Sequence, residues 1–189
     1  MYRLTDIIIL VVVLKQRKTG GLEIHKLRRQ DFARKMFSVC PSEWGPDFLS
    51  HTWFSDESYI EVWPTSYGRR GFRSHTGEKL ELNVPKHGQK LMVFAAINAK
   101  GVFWKTFPAG LSITAVVYRE VLVEFMEWLE TKGFLYDAIY QQDGAPPHTE
   151  KTNLQLIRDV FGGKVISLKE MIEWPASSPD LNLGIGTWI

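Results

Sequence analysis

Between His51 and Leu168 the apolar residues change from the spacing of strands to that of a helix and back, twice. That succession limits the fold more than any composition figure does. "HTWFSDES" reads as a first strand. "KLMVFAAIN" and "GVFWKTFP" are two apolar runs joined around Ala99-Lys100-Gly101, a hairpin signature. Val121, Leu122, Phe125, Trp128 and Leu129 then recur at helical spacing, in a helix that Thr114 can cap and that extends to Lys132. "LYDAIYQQD" is another strand. A shorter helix from Thr149 to Phe161 is expected to bury Leu154, Ile157, Val160 and Phe161, with Gly162 as its stop. "KVISL" reads as the last strand.

Leaving aside a short strand at "LELNV", the order is strand, strand, strand, helix, strand, helix, strand. Three consecutive strands before a long helix predict an α/β fold whose mixed sheet opens with an antiparallel meander and closes with parallel crossovers. In such sheets functional groups collect at the carboxyl ends of strands. Asp56, in "WFSDESYI", and Asp143, in "AIYQQDGAPPHT", are both expected at such ends. Upstream, His25 to Val39 reads as an amphipathic helix with Phe32, Ala33, Met36 and Phe37 on its apolar stripe, and "CPSEWGPDF" is expected to break it.

The chain has 189 residues, a formal net charge of +2 and one cysteine. This length supports one domain with a sizeable core. So small a charge does not announce a nucleic-acid partner, and such a reading depends on where the basic residues sit. Cys40 alone excludes an internal disulfide framework, suits a reducing compartment and reads as a buried, inert thiol. The run "IIILVVVLK" from Ile7 has eight apolar residues, too few for a bilayer span of about 20. Asp6 before it and the lack of a small-residue cleavage site after it argue against a signal peptide. A buried β-branched strand or a non-native leader fits better, and no membrane partner is expected.

Asp56 and Glu57 are adjacent acids behind an apolar approach, and burying an acid is costly unless something positive meets it: a lysine, an arginine or a metal ion. Two aspartates brought together repel, so either one is neutral or a cation bridges them. Hard oxygen ligands favour Mg²⁺ or Mn²⁺, held by one or two carboxylates plus waters and phosphate oxygens. Two such ions about 3.5–4 Å apart can activate water and stabilise the leaving oxygen in phosphodiester cleavage. Spacing alone does not separate this from a strand-end aspartate that caps a turn. Glu57 reads as a solvated residue or as a neighbour of the metal ligands.

The strings "WFSDES", "QQDGAPPHT" and "EWPASSPDLN", in this order, resemble the catalytic domain of the Tc/mariner superfamily of cut-and-paste DNA transposases. The resemblance covers roughly His25 to Asn182 and implies the RNase H-like fold. It implies that Asp56 and Asp143 are the first two catalytic, metal-binding aspartates, with the Thr114–Lys132 helix packed on the sheet between them. It further implies Mg²⁺ or Mn²⁺ as cofactor, DNA as partner, a homodimer as the assembly to consider, and a nuclear location. Gly144 would let the backbone turn away from the acid, and Pro146-Pro147 would end the strand. His148 could contact DNA phosphate or orient the loop; the alternative is a packing or capping histidine before Thr149.

The resemblance places a third acid five residues beyond Asp180, where this chain has Ile185 between Gly184 and Gly186. Asp180 is a substitute ligand to consider, although after Pro179 its usual part is to cap a helix; Glu173 is a weaker substitute. The first 24 residues do not read as an end-recognition module. Hence 1–24 is set apart as a leader, 25–50 as linker helix and loop, and 51–189 as the catalytic domain lacking its C-terminal helix. Arg69, Arg70 and Arg73, with Lys79 nearby and Tyr67 and Phe72 interleaved, could grip a DNA backbone or form a solvated hairpin. The function expected is a transposase-derived DNA-binding and DNA-processing domain, impaired by loss of the third acid. The alternatives are a non-catalytic DNA-binding or dimerising remnant, and an active nuclease with a substitute ligand.

Overall fold

The structure, a computed structural model, describes residues 23–61, 90–108, 110–176, 178 and 181. The apolar leader, "LELNV", Arg69, Arg70, Arg73, Asp180 and Ile185 lie outside the described residues.

Helix α1 (Glu23–Trp44) is longer than the sequence suggests and contains Pro41. Proline removes one N–H from the ladder, but Cys40 is buried beyond the expected end and Trp44 packs near Phe48, holding the last turn in place. Gly45, at φ +90°, then turns the chain away. The buried line runs through Phe32, Met36 and Cys40, at i, i+4 and i+8. Phe37, assigned to the apolar stripe, instead faces solvent at 46 % exposure. A single turn, α2 (Phe48–His51), leads into the sheet.

The strands are β1 (Thr52–Glu61), β2 (Lys90–Asn98), β3 (Gly101–Phe107), β4 (Ile139–Gln141), β5 (Val165–Ser167) and β6 (Ile172–Glu173). Their order across the sheet is β3-β2-β1-β4-β5-β6. The first three are antiparallel, and β1, β4, β5 and β6 are parallel. This is the expected mixed sheet, extended by β6, which is too short to show a period. The β2–β3 hairpin closes with Asn98 opposite Gly101, and Asn98 Oδ1 accepts from Lys100 N–H.

Helix α3 (Ala115–Thr131) begins where Thr114 accepts a hydrogen bond from Val117 N–H. It buries Tyr118, Val121, Leu122, Phe125, Met126 and Leu129, each large apolar side chain contributing about 1.5–3 kcal/mol. Helix α4 (Lys151–Phe161) is capped by the Glu150 carboxylate, which accepts from Thr152 and Asn153 N–H, rather than starting at Thr149. It buries Leu154, Ile157 and Phe161, and Gly162 ends it at φ 58°. Val160 is more than a third exposed, contrary to expectation.

Two cores result. Helices α3 and α4 cover one sheet face through Trp53, Phe94, Tyr140 and Val165. On the other face Ile139, Ile166 and Ile172 pack with Phe32, Cys40, Phe48, Trp174 and Leu181. Burial pushes the Cys40 thiol up to about 12, in keeping with an unreactive cysteine. No described helix is long and apolar enough to cross a membrane.

Candidate active site

Successive side chains of a strand point to opposite faces, and β1 uses this to separate its two acids. Trp53, Ser55 and Glu57 face α3. Trp53 meets Phe125 and Trp128 edge-on, and Ser55 Oγ bonds the Tyr140 hydroxyl, itself 2.8 Å from that of Tyr118. Thr52, Phe54 and Asp56 face the α1 side. Asp56 is not at a strand end, as the sequence suggested: β1 continues to Glu61, opposite Lys90 of β2. What stops near Asp56 is the parallel pairing with β4, which matches Thr52 to Ile139 and Phe54 to Gln141.

That pairing ends at Phe54 and Gln141, and continuing its offset past the end of β4 brings Asp143, two residues on, level with Asp56. The two aspartates are therefore brought together, and their charges act on each other. Burial first, then Glu57 and Asp143, push the Asp56 carboxyl up to about 6, although its Oδ1 accepts from Glu57 N–H at 3.0 Å. Burial alone would also raise Asp143. The contact and charge of His148, with the Ala145 N–H at 2.9 Å, outweigh it and hold Asp143 below the usual carboxylate range.

His148 is 4 % exposed. Its Nδ1 makes an ion-pair contact of 2.6 Å with Asp143 Oδ1 that lacks hydrogen-bond geometry, its Nε2 hydrogen-bonds Glu57 Oε1 at 3.1 Å, and the ring stacks on Tyr118 at 4.1 Å between centroids. Burial would lower this imidazole, but the two carboxylates raise it to about 9. At 4 % exposure the ring offers little surface to a DNA phosphate, and its contacts suit both of the other roles considered, packing on Tyr118 and orienting the loop through Asp143 and Glu57. The positive partner that the adjacent acids require is, for Glu57, this histidine.

The loop itself is fixed from below. The Gln142 side chain donates to His148 O and Ser167 Oγ and accepts from the Tyr118 hydroxyl at 2.6 Å. Gly144 does not make a left-handed turn; a Cβ there would sit 3.3 Å from Leu168 Cδ2, a tight contact that the leucine side chain would have to yield to. Tyr118, Gln142 and Ser55 were not foreseen as part of the site; the one hint was polar residues beside the acids in otherwise apolar strands.

The donor set suits a hard cation. The hydrogen bonds of both aspartates run through Oδ1, leaving Oδ2 of each without a partner among the described residues. Two such oxygens fit Mg²⁺ or Mn²⁺, which keep several waters and do not need an all-protein cage. Among the described residues no cluster of three or more acids, histidines and cysteines is arranged to hold a metal. Glu173 is on edge strand β6, two strand spacings, roughly 10 Å, from β4.

The fold was compared with solved structures. It matches the Mos1 transposase catalytic domain bound to Raltegravir and Mg, with a TM-score of 0.61 and 20 % identity over 86 % of this chain and 67 % of that one. This is the fold of a Tc/mariner transposase catalytic domain. The Mos1 mariner paired-end complex with Mn gives a transposase match at TM-score 0.64 and 22 % identity, over 90 % of this chain and 50 % of that chain. In sequence, the transposable element Tcb1 transposase of Caenorhabditis briggsae is 27 % identical over 180 residues, 91 % of this chain. The chain spans about half the length of that transposase, 56 %. No protein-family model matches it. The RNase H-like expectation carried by the three motifs is borne out.

Proposed function

We propose that this chain is a DNA-processing domain of the transposase type, using a divalent cation held by Asp56 and Asp143. The observation that carries it is the nearness of these aspartates just past the β1–β4 pairing, where the charge of Asp143 acts on Asp56 and each keeps one carboxylate oxygen without a partner among the described residues. A Mg²⁺ or Mn²⁺ ion there would activate a water or a 3′ hydroxyl and neutralise charge on the phosphodiester. The protein's own contribution is placement: β1 and β4 fix the two acids, and His148 with Ala145 N–H fixes the angle of Asp143. Relatives bound to Mg and Mn and to a transposon end support metal use and DNA as substrate. Action on chromosomal DNA would place the protein in the nucleus.

Ile185 stands where the third acid is expected, which favours a second reading: the chain binds DNA and cleaves it poorly or not at all. The test is nicking of supercoiled plasmid in Mg²⁺ or Mn²⁺ by the native chain and by Asp143→Ala. We expect slow nicking that the substitution removes, at least about a thousandfold below a complete three-acid site, several kcal/mol of barrier. Gel shifts without any metal-dependent nicking would instead establish the non-catalytic reading.

A further inference from the structure

We infer that Glu57 and His148 are positioning residues for Asp143: a carboxylate–imidazole–carboxylate bridge that crosses the sheet edge and sets how Asp143 meets its cation. This rests on the metal-site reading above and goes beyond it.

Asp143 lies two residues past the end of β4, where strand pairing no longer dictates a side-chain direction. Two contacts do so instead, the Ala145 N–H and the His148 ring, and both fall on Oδ1. That leaves Oδ2 as the oxygen available to a cation. The ring is itself held three ways: Glu57 Oε1 on Nε2, the stacked face of Tyr118, and the buried Gln142 amide on the His148 carbonyl. Glu57 belongs to β1, the strand that also carries Asp56. One ten-residue strand thus sends one acid to the cation and the other to the group that aims the second ligand. The two aspartates are linked through Glu57 and the buried His148 ring as well as through neighbouring strands. The pairing also commits Glu57, which alternation directs away from Asp56, so it does not compete for metal. Partners that orient a ligand from behind typically change metal affinity by about 10–100-fold.

The experiment is Mn²⁺ binding to the whole chain, with free Mn²⁺ counted by electron paramagnetic resonance. Glu57→Ala should weaken Mn²⁺ by about tenfold or more. Glu57→Gln, whose carbonyl oxygen can accept the same bond from Nε2–H, should bind within about threefold of the native chain. Glu57→Ala combined with His148→Ala should be no weaker than His148→Ala alone, because the two act in series. A Glu57→Ala chain that binds like the native one, while Asp143→Ala does not bind, overturns the inference and leaves the metal site standing. Equal weakness of the Gln and Ala variants overturns the orientation account. Absence of Mn²⁺ binding in the native chain removes the metal-site reading and the inference with it. A measurement without any variant guards against misfolding: the bridged ring N–H protons should exchange slowly with water, and rapid exchange overturns the bridge.

Discussion

Asp56 and Glu57, neighbours on β1, leave the sheet on opposite faces, one toward Asp143 and the other toward His148. The apparent cost of adjacent acids is thereby divided between two sites. Among the described residues, Glu57 has a positive side chain in contact, His148, which acts on Asp56 only through its charge; Asp56 is ionised at some cost until a cation arrives.

That cost can be measured. Burial raises the folded Asp56 carboxyl from 3.8 to about 6, so the fold favours the neutral acid. This favour is complete below pH 3.8, is lost as pH rises through 6, and leaves a penalty at neutral pH. Asp56→Asn should therefore stabilise the metal-free protein at pH 7.5, by on the order of 1–2 kcal/mol, or a few degrees in melting temperature. Thermal melts in a chelator check this. A variant that melts lower than the native chain at pH 7.5 would show that the acid is not destabilising there.

His148 gives the opposite trend. Its folded value of about 9 exceeds the ordinary 6.5, so the ion pairs contribute fully below pH 6.5 and fade as pH rises through 9. The stability lost in His148→Asn should be largest near pH 6 and smaller above pH 9. Denaturant titrations at these two pH values decide it. A loss that does not change with pH would mean that the ring contributes packing alone.

Much of this arrangement was legible in the sequence, and the gaps have physical causes. Thr114, Gly162 and the Asn98–Gly101 turn act locally, through a cap, a left-handed residue and a tight hairpin, so short stretches announce them. Asp56 and Asp143 were found through motifs. The true length of β1 was hidden because Ser58 to Glu61 pair with β2 alone, and Tyr59 and Ile60 are exposed. Phe37 and Val160 were misplaced because helical spacing does not fix where a stripe ends laterally. The bridge from Glu57 to His148 joins residues 91 apart in sequence, and no periodicity reports such a contact.

Trp53 and Trp104 should respond to truncation in opposite ways. Trp53 is 1 % exposed and touches Phe125, Trp128 and Phe134, whereas Trp104 on edge strand β3 is 65 % exposed. Trp53→Ala should cost about 3–5 kcal/mol, and Trp104→Ala about 0.5 kcal/mol or less. Urea denaturation of both variants tests the core assignment. Comparable losses would contradict it.

Cys40 should resist modification in the folded chain. It is fully buried, and burial drives its thiol to about 12, so little thiolate exists to attack a reagent at pH 8. Labelling by a thiol-reactive disulfide should be slow in buffer and fast in denaturant. Rapid labelling of the native chain would mean that α1 opens readily from the sheet.

The last expectation concerns DNA affinity. The described site has three acids, Asp56, Glu57 and Asp143, and a buried histidine, which repel or ignore phosphate, so attraction must come from basic residues elsewhere. Arg69, Arg70 and Arg73 fall within five residues of each other in the sequence, and arginines contacting phosphate position DNA without reading its bases. Binding should therefore vary little among duplexes of different sequence and fall steeply with salt. Each phosphate neutralised adds about 0.9 to the slope of log affinity against log salt. Changing all three arginines to alanine should reduce that slope by roughly 2–3 if each contacts one phosphate. Fluorescence anisotropy at several salt concentrations, on at least two unrelated duplexes, measures both quantities. An unchanged slope in the triple variant would move the DNA contact away from this stretch, to another basic surface such as that of α1.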